Sequence, residues 1–314
     1  MRNKKVVITG GTGFVGANLV RKLVGLGYSP TLLIRKKSNL WRLKDIVSKV
    51  NLVKTDLLNY SLLKKDMSKI KPDYIYHLAV YGANQSTQRD TQELVRFNIL
   101  GTLNLLSVCC DYGFKYFINT GSSSEYGIKN QPMKEDDLLQ PSNFYGVTKS
   151  SVTHMASIFS KTHHLPLVTL RIFSPYGYFE DKMRFMATIM INAVKNKDIQ
   201  LSNPNYVRDF IFIDDLLNAY IYFLNGKNYY GEIFNIGSGE QTKIGEVVKL
   251  VESISKKKLK VKWSIHKSNQ VEPKIWQADI HKAKSEFNWQ PTINLVDGLK
   301  LTYNWFLRNI NLYD

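Results

Sequence analysis

The sequence has few cysteines and lacks a long apolar run. Its two cysteines, Cys109 and Cys110, are neighbours in the chain, so they cannot form the disulfide framework of a small secreted protein. No window approaches the roughly 18 apolar residues of a membrane helix. The first residues, MRNKKVVITGG, lead into a strand-like segment without the apolar core of a signal peptide. We therefore expect a soluble protein of a reducing compartment, the cytoplasm, with no membrane partner.

Acidic residues are scarce beside basic ones. The chain has 26 Asp and Glu against 43 Lys and Arg, a formal net charge of +17. The basic residues are spread along the whole chain, whereas a nucleic-acid-binding protein concentrates them on one face or helix. We therefore predict no nucleic-acid partner, and an anionic small molecule as the ligand that this charge would attract. No metal site is predicted.

Strand-like and helix-like segments alternate from the start of the chain. Apolar runs such as KKVVITG, TLLIR and PDYIYHLAV are separated by helical patterns, an order typical of parallel strands joined by right-handed crossovers. The sequence predicts an α/β protein with a Rossmann-type, doubly wound parallel sheet. The NAD(P)-binding domain is expected over residues 1–174, and a smaller α/β substrate-binding lobe over 175–314, with chain segments free to cross between them.

A glycine-rich loop follows the first predicted strand. VVITGGTGFVGANLV places Gly10, Gly13 and Gly16 between a strand and a helix, with Phe14 and Val15 opening that helix. Glycines there permit a tight turn and a close approach of the backbone to a pyrophosphate, while the helix N-terminus supplies N–H groups. This arrangement predicts a dinucleotide cofactor.

The end of the second predicted strand is basic. NAD-binding proteins carry an acid about 20 residues after the glycine loop to receive the ribose 2′-hydroxyl, whereas a 2′-phosphate requires cations. Here SPTLLIRKKSN offers Arg35 and Lys36, and Arg35 can make a forked contact with phosphate. The sequence favours NADP(H), with NAD as the alternative. Asp56, at the end of the third strand, is a candidate acceptor for the adenine amino group.

A tyrosine and a lysine stand four residues apart at the start of a predicted helix. Tyr145 and Lys149 in FYGVTKSS share one helix face. An ammonium group beside a phenol stabilises the phenolate, as proton transfer to or from a sugar oxygen requires. Upstream, NTGSSSEYG ends a strand with Ser122, Ser123 and Ser124. The combination indicates a catalytic site.

At these residues the sequence resembles the extended short-chain dehydrogenase/reductase family, the NAD-dependent sugar epimerases and dehydratases. Nearly the whole chain is similar, through TGGTGFVG, TDLLN, YHLAV, GSSSEYG, FYGVTK and RDFIFIDDLLNAY. The resemblance implies that Tyr145 is the acid/base, that Lys149 also holds the nicotinamide ribose, and that Ser122 hydrogen-bonds the reacting sugar oxygen. It adds cofactor-binding residues: Asp56, Leu57, Leu78, Ala79, Val80 and Asn98.

The resemblance also implies a nucleoside-diphosphate sugar as the substrate. Arg208 matches a position that contacts the diphosphate, and Glu272 the acid of the nucleotide clamp. Ser174 stands where an asparagine usually touches the substrate, and Asn269 replaces a usual arginine near Glu272. Ser123 and Ser124 stay open as further substrate contacts. The helix near 91–112 and the one after Tyr145 resemble a pair that forms an intersubunit four-helix bundle, so a homodimer is expected.

Three reactions are compatible with this scaffold. Sugar 4,6-dehydratases carry an Asp-Glu pair where this chain has Ser123 and Ser124, so elimination of water is disfavoured. The basic end of the second strand favours an NADPH-dependent reductase of a nucleotide-linked 4-keto-6-deoxyhexose, in the synthesis of cell-surface polysaccharide precursors. Similarity to GDP-4-keto-6-deoxymannose reductases is looser, because they carry an acid at Ser124. The alternatives are a 4-epimerase with tightly bound NAD and, remotely, a non-catalytic NADP-sensing scaffold.

Overall fold

The computed structural model describes residues 4–83, 88, 90–264 and 273–314, which form two compact units. The first unit comprises Met1–Gly127, Leu138–Ile172 and Leu217–Phe234. The second comprises Ile128–Asp137, Phe173–Leu216 and Asn235–Asp314. Both units are discontinuous in sequence, and the chain passes from one to the other several times.

A seven-stranded sheet with the order β11-β6-β5-β4-β1-β2-β3 organises the first unit. The pairs from β3 across to β6 are parallel, and β1 and β4 are buried at every residue, as strands covered on both faces are. The chain winds in both directions from β1, which places a topological switch point there. The predicted doubly wound α/β fold is confirmed. The strands are β1 Val6–Thr9, β2 Thr31–Ile34, β3 Asn51–Lys54, β4 Tyr74–His77, β5 Tyr116–Ser122, β6 Leu167–Ile172 and β11 Tyr230–Ile236.

Helices cover this sheet, and α2 and α5 begin with side-chain caps. Asn59 and Asn143 cap α2 and α5 by accepting from the backbone N–H groups of Leu62 and Gly146, at 3.0 and 2.8 Å. The apolar faces of α2, α4 and α5 pack with the central strands into one buried cluster. The helices are α1 Phe14–Gly25, α2 Tyr60–Ile70, α3 Thr91–Leu94, α4 Gly101–Tyr112, α5 Phe144–His163 and α7 Ile213–Tyr222.

The helix expected over residues 91–112 contains an irregular segment. A π-helical stretch, Val95–Leu100, joins α3 to α4, and such segments often mark functional positions. The whole helix, Thr91–Tyr112, is long and apolar enough to cross a membrane by length and composition alone. Leu105, Leu106 and Cys109 from this helix are buried in the core cluster beside the sheet, and core helices of soluble proteins meet the same criterion.

The second unit is built from short strand pairs and helices. β7 pairs with β10 in parallel, β9 with β12 antiparallel, and β8 with β13 in parallel. The Asp215 carboxylate fixes a turn here by accepting from the Thr292 hydroxyl at 2.8 Å and the Ile293 N–H at 2.9 Å. The elements are β7 Pro175–Tyr176, α6 Phe185–Lys195, β8 Ile199–Leu201, β9 Val207–Arg208, β10 Ile211–Phe212, β12 Thr242–Lys243, α8 Ile244–Ser255, β13 Val261–Trp263, α9 His281–Phe287 and α10 Leu295–Asn309.

Candidate active site

The glycine loop forms a close backbone turn at the carboxyl end of β1. Gly10 has a positive φ of 70°, and a Cβ there would lie 2.5 Å from the backbone nitrogen of Ala79. A Cβ on Gly16 would lie 2.2 Å from the Gly10 carbonyl oxygen, so α1 packs against the loop only because both residues are glycines. Gly13 is the N-cap of α1 and supplies no side-chain cap. The N–H groups of the first turn, which includes Phe14 and Val15, are therefore suited to bind an anion.

The loop after β4 borders the glycine turn. The Ala79 N–H donates to Thr9 Oγ1 at 3.2 Å, and Val80 is exposed. Asn98 of the π-helical segment, predicted to bind the cofactor, is buried. Its amide accepts from the Tyr81 N–H at 2.7 Å and donates to the Tyr81 carbonyl at 3.0 Å. Asn98 therefore fixes the loop that contains Leu78, Ala79 and Val80.

Arg35 and Lys36 lie at the same edge of the sheet and are exposed. The guanidinium carbon of Arg35 lies 5.3 Å from the centre of the Phe97 ring, a cation–π contact. The Phe97 ring in turn stacks on Tyr81, with 5.9 Å between ring centres. This stack connects the end of β2 to the loop after β4, on the two sides of the glycine turn. Phe97 was not predicted as the partner of Arg35.

Asp56 and Leu57 follow β3. Asp56 Oδ1 accepts from the Leu58 N–H at 3.0 Å, which shapes the turn. Leu57 is partly buried and packs against the core cluster, and its carbonyl accepts from the Asn104 amide at 2.8 Å. Both residues are held at the carboxyl edge where the sequence placed them.

Tyr145 and Lys149 lie in the first two turns of α5. Lys149 is buried, 5% exposed, and its ammonium donates to the carbonyl of Thr120 in β5. Burial lowers the pKa of Lys149 to about 8, and the charge of the Glu125 carboxylate opposes part of this fall. The Tyr145 ring lies beside the loop after β4, since a Cβ on Gly82 would be 3.5 Å from Tyr145 Cδ2.

The three serines form a tight turn after β5. The Ser122 hydroxyl oxygen accepts from the Ser124 N–H at 3.1 Å, and this contact leaves its own proton available to a ligand. A Cβ on Gly146, next to Tyr145, would lie 2.4 Å from the Ser124 carbonyl oxygen. The start of α5 therefore packs directly on the serine turn, which brings Tyr145, Lys149 and Ser122 to one edge of the sheet.

A buried ion pair lies behind the serine turn. Arg171 Nε of β6 donates to Glu125 Oε2 at 2.8 Å, with both side chains at most 1% exposed. A second Arg171 nitrogen donates to the Tyr126 hydroxyl at 2.9 Å. Sequence analysis had not identified Arg171, whose partner is 46 residues away in the chain.

The predicted diphosphate contact, Arg208, lies at the end of β9 in the second unit. Its guanidinium carbon is 5.3 Å from the centre of the Trp276 ring, and one nitrogen donates to the Val207 carbonyl at 2.7 Å. Asp209 is fully buried and accepts from the Ser238 N–H at 2.6 Å and the Ala278 N–H at 2.9 Å. Asp209 thus organises the surrounding loops.

Trp276 is a binding candidate that sequence analysis missed. Its indole nitrogen is buried and lacks a hydrogen-bond partner among the described residues, and a buried donor of this kind usually has one. Ser174 is half-buried in the same unit, and its carbonyl accepts from the Ile211 N–H at 3.2 Å. Glu272 lies outside the described residues, so its predicted role stays a prediction. Among the described residues, no group of three His, Cys, Asp or Glu side chains could hold a metal ion.

The family model for the NAD dependent epimerase/dehydratase family matches residues 6–237. The match covers the glycine loop, the serine turn, the Tyr145 and Lys149 pair and Arg208. The chain belongs to this family, and it is an enzyme of the nucleotide-sugar epimerase and dehydratase type.

Relatives with stated activities extend over nearly the whole chain. A UDP-glucuronate 4-epimerase of Thermodesulfobacterium geofontis is 28% identical over 98% of this chain and 97% of its own. The Bacillus cereus UDP-glucuronic acid 4-epimerase, solved with UDP-glucuronic acid and NAD, is 31% identical over 98% and 99% of the two chains, with a TM-score of 0.86. The Thermotoga maritima UDP-glucose 4-epimerase, solved with UDP-glucose, is 25% identical over 98% and 99%, with a TM-score of 0.88.

Proposed function

We propose that the protein is a 4-epimerase of a nucleoside-diphosphate hexose or hexuronic acid. The observation that carries the proposal is the edge formed by Tyr145, Lys149 and Ser122, with Ser123 and Ser124 beside it. This edge holds the groups for moving a proton at a sugar oxygen. Ser123 and Ser124 stand where a dehydratase carries the pair of carboxylic acids that removes water.

The proposed proton transfer has a separate role for each of Tyr145, Lys149 and Ser122. When bound, a nicotinamide cofactor would supply the reversible hydride transfer at the sugar C4. Tyr145, as phenolate, takes the proton of the 4-hydroxyl and gives it back to the oxygen of the inverted product. The Lys149 ammonium stabilises the phenolate, and the Ser122 hydroxyl donates a hydrogen bond to the same sugar oxygen.

The relatives support epimerisation more than the reduction favoured from sequence. Two of them bear the name UDP-glucuronate or UDP-glucuronic acid 4-epimerase, and one bears the name UDP-glucose 4-epimerase. We therefore place UDP-glucuronic acid and UDP-glucose first as substrates. Arg208 is proposed to bind the diphosphate, and the indole N–H of Trp276 to donate to the same nucleotide.

The residues of the first unit fit a dinucleotide. The uncapped N-terminus of α1 provides N–H donors for a pyrophosphate, and Asp56 at the neighbouring edge provides an acceptor for the adenine amino group. We propose NAD as the cofactor of the epimerase. A solved relative of 31% identity was crystallised with NAD.

An NADPH-dependent 4-keto reductase is the second candidate, and one observation favours it. Arg35 and Lys36 are exposed at the end of β2, where a 2′-phosphate would be neutralised. The scaffold hypothesis has less support, because Tyr145, Lys149 and Ser122 are all present and brought together.

Incubation of the purified protein with UDP-glucuronic acid or UDP-glucose, without added cofactor, tests the proposal. If the protein is an epimerase, we expect conversion to the 4-epimer, detected by chromatography, and release of NAD on denaturation. Oxidation of added NADPH with an NDP-4-keto-6-deoxyhexose, without any epimer, would instead support the reductase.

We also propose a homodimer in which two copies contribute the helix of residues 91–112 and α5. Val95, Leu100, Val147 and Ile158 are exposed apolar residues on these helices, and such faces mark contact surfaces. Light scattering should give twice the 36.2 kDa chain mass, and Val147→Glu with Ile158→Glu should give the single mass. Cytoplasmic location and a role in polysaccharide precursor synthesis stay predictions.

A further inference from the structure

Burying the ion pair of Glu125 and Arg171 costs free energy. Both side chains are withdrawn from water, with Arg171 1% exposed and Glu125 fully buried. Desolvation of two charges offsets much of their attraction, and apolar residues often stabilise such a position equally well or better. The pair is therefore expected to have a role other than filling the core.

Glu125 fixes the backbone of the serine turn. Its Oε1 accepts from the Ser122 N–H at 2.8 Å, while its Oε2 accepts from Arg171. A Cβ on Gly121 would lie 2.8 Å from Glu125 Oε1 and 3.0 Å from Arg171 Cγ. The ion pair therefore packs against the backbone immediately before Ser122.

Lys149 hydrogen-bonds the same stretch of backbone. Its ammonium donates to the Thr120 carbonyl, one residue before Gly121 and two before Ser122. The Thr120 hydroxyl is also held, by the Tyr220 hydroxyl at 2.8 Å. Residues 120–122 thus connect the carboxylate of Glu125 with the ammonium of Lys149.

We propose that Glu125 is a positioning residue of the reaction. Paired with Arg171, its carboxylate fixes Ser122 and supplies the negative charge that keeps the Lys149 ammonium in place behind the phenol of Tyr145. The inference deepens the proposed function and rests on it for the roles of Ser122 and Tyr145.

Other charged and titratable groups face this region from each packed element. Arg171 belongs to β6, Tyr126 to the serine turn, His77 to β4 and Tyr220 to α7. Burial and, to a lesser extent, the charge of Lys149 together lower the pKa of His77 to about 3, so His77 is neutral near pH 7. Glu125 is the group whose charge opposes the effect of burial on Lys149.

A titration of Lys149 that needs neither substrate nor cofactor tests the inference. The full chain is labelled with [13Cε]lysine, and the Lys149 resonance is identified as the one lost in Lys149→Met. The pKa of Lys149 should be about 8 in the unaltered protein and at least about half a unit lower in Glu125→Gln, because the opposing charge is gone. An unchanged pKa overturns the proposal.

Glu125→Gln removes the carboxylate from the buried Arg171, so the variant can fail to fold. Glu125→Gln combined with Arg171→Met removes both charges and should show a smaller fall in the same direction, since Glu125, and not Arg171, is the charge that raises the pKa of Lys149. Glu180→Gln is the matched control, since Glu180 is another buried carboxylate, bonded to Arg184 Nε at 2.9 Å in the second unit. It should leave the Lys149 titration unchanged, and an equal shift there also overturns the proposal.

Turnover of UDP-glucuronic acid gives a second readout. Loss of a nearby negative charge should move both limbs of the kcat pH profile to lower pH, because Tyr145 and Lys149 titrate as a coupled pair. A lower kcat with unmoved limbs indicates a structural role only and contradicts the proposal. If the unaltered protein converts no substrate, the proposed function fails while the Lys149 titration still decides this inference.

Discussion

The ends of β5 and β2 lie at the same edge of the same sheet, yet they hold their charged residues differently. After β5, Lys149 and Glu125 are buried and bonded to the backbone of residues 120–122. After β2, Arg35 and Lys36 are exposed, and Arg35 contacts the Phe97 ring. A fixed, water-poor site can stabilise charge in a transition state, whereas exposed cations contribute little until a ligand arrives. We therefore expect the β5 end to determine the reaction and the β2 end to determine the choice of cofactor.

Removing the phenol hydroxyl at the β5 edge should have the largest effect. Tyr145→Phe should lower kcat by about a hundredfold to ten-thousandfold, the usual range for loss of a general acid/base, while bound cofactor is retained. Epimer formation and the cofactor released on denaturation are measured together. Tyr60→Phe, at an exposed tyrosine of α2, should change neither. Full activity of Tyr145→Phe would refute the assigned site.

Among the serines, Ser122→Ala should cause the next largest loss, about a hundredfold in kcat, because its hydroxyl is the donor to the reacting oxygen. Ser123→Ala and Ser124→Ala are matched controls on the same turn and should lose less. A larger loss in either control would transfer the role of donor to that serine.

The pH dependence of kcat should respond to the buried lysine beside β5 and not to an exposed lysine after β2. Since burial lowers the pKa of Lys149 to about 8, its ammonium is lost as pH rises through 8, and kcat should fall about tenfold per unit above that value. Lys37→Ala, at an exposed lysine after β2, should leave this limb in place. A profile flat to pH 10 would contradict the role of the buried ammonium.

The smallest expected effect is at the β2 edge. Arg35→Asp should lower the affinity for NADP relative to NAD by about tenfold, because a forked phosphate contact is replaced by repulsion. Phe97→Leu should produce a smaller shift in the same direction, since the ring that orients Arg35 is lost. Calorimetric titration with both cofactors measures the ratio. An unchanged ratio would remove the main support for the reductase.

Local patterns in the sequence were sufficient to predict the parts of the site that are close in the chain. The glycine loop, the serine turn and the spacing of Tyr145 and Lys149 each lie within a few residues, and strand alternation predicted that they share one edge. The ion pair of Arg171 and Glu125 behind this edge was harder to predict. Arg171 meets Glu125 only because β6 pairs with β5, and a pattern within either strand carries no sign of it.

The surroundings of Asn98 and Arg35 could not be predicted from the sequence for a different reason. The family pattern predicts that Asn98 binds the cofactor, and in the π-helical segment its amide hydrogen-bonds the Tyr81 backbone. Arg35 was predicted to bind phosphate, and its contact with Phe97 depends on the same segment. A change of helical register alters which side chains reach the site, and helix periodicity does not predict it.

Hydride return to the same carbon tests the central claim most directly. UDP-glucuronic acid and UDP-glucose carrying deuterium at C4 are incubated with the protein without added cofactor, and the products are examined by NMR. The account predicts a 4-epimer that keeps its deuterium at C4. A product that has lost the deuterium, or no epimer from either sugar while an NDP-4-keto-6-deoxyhexose is reduced by NADPH, would contradict it.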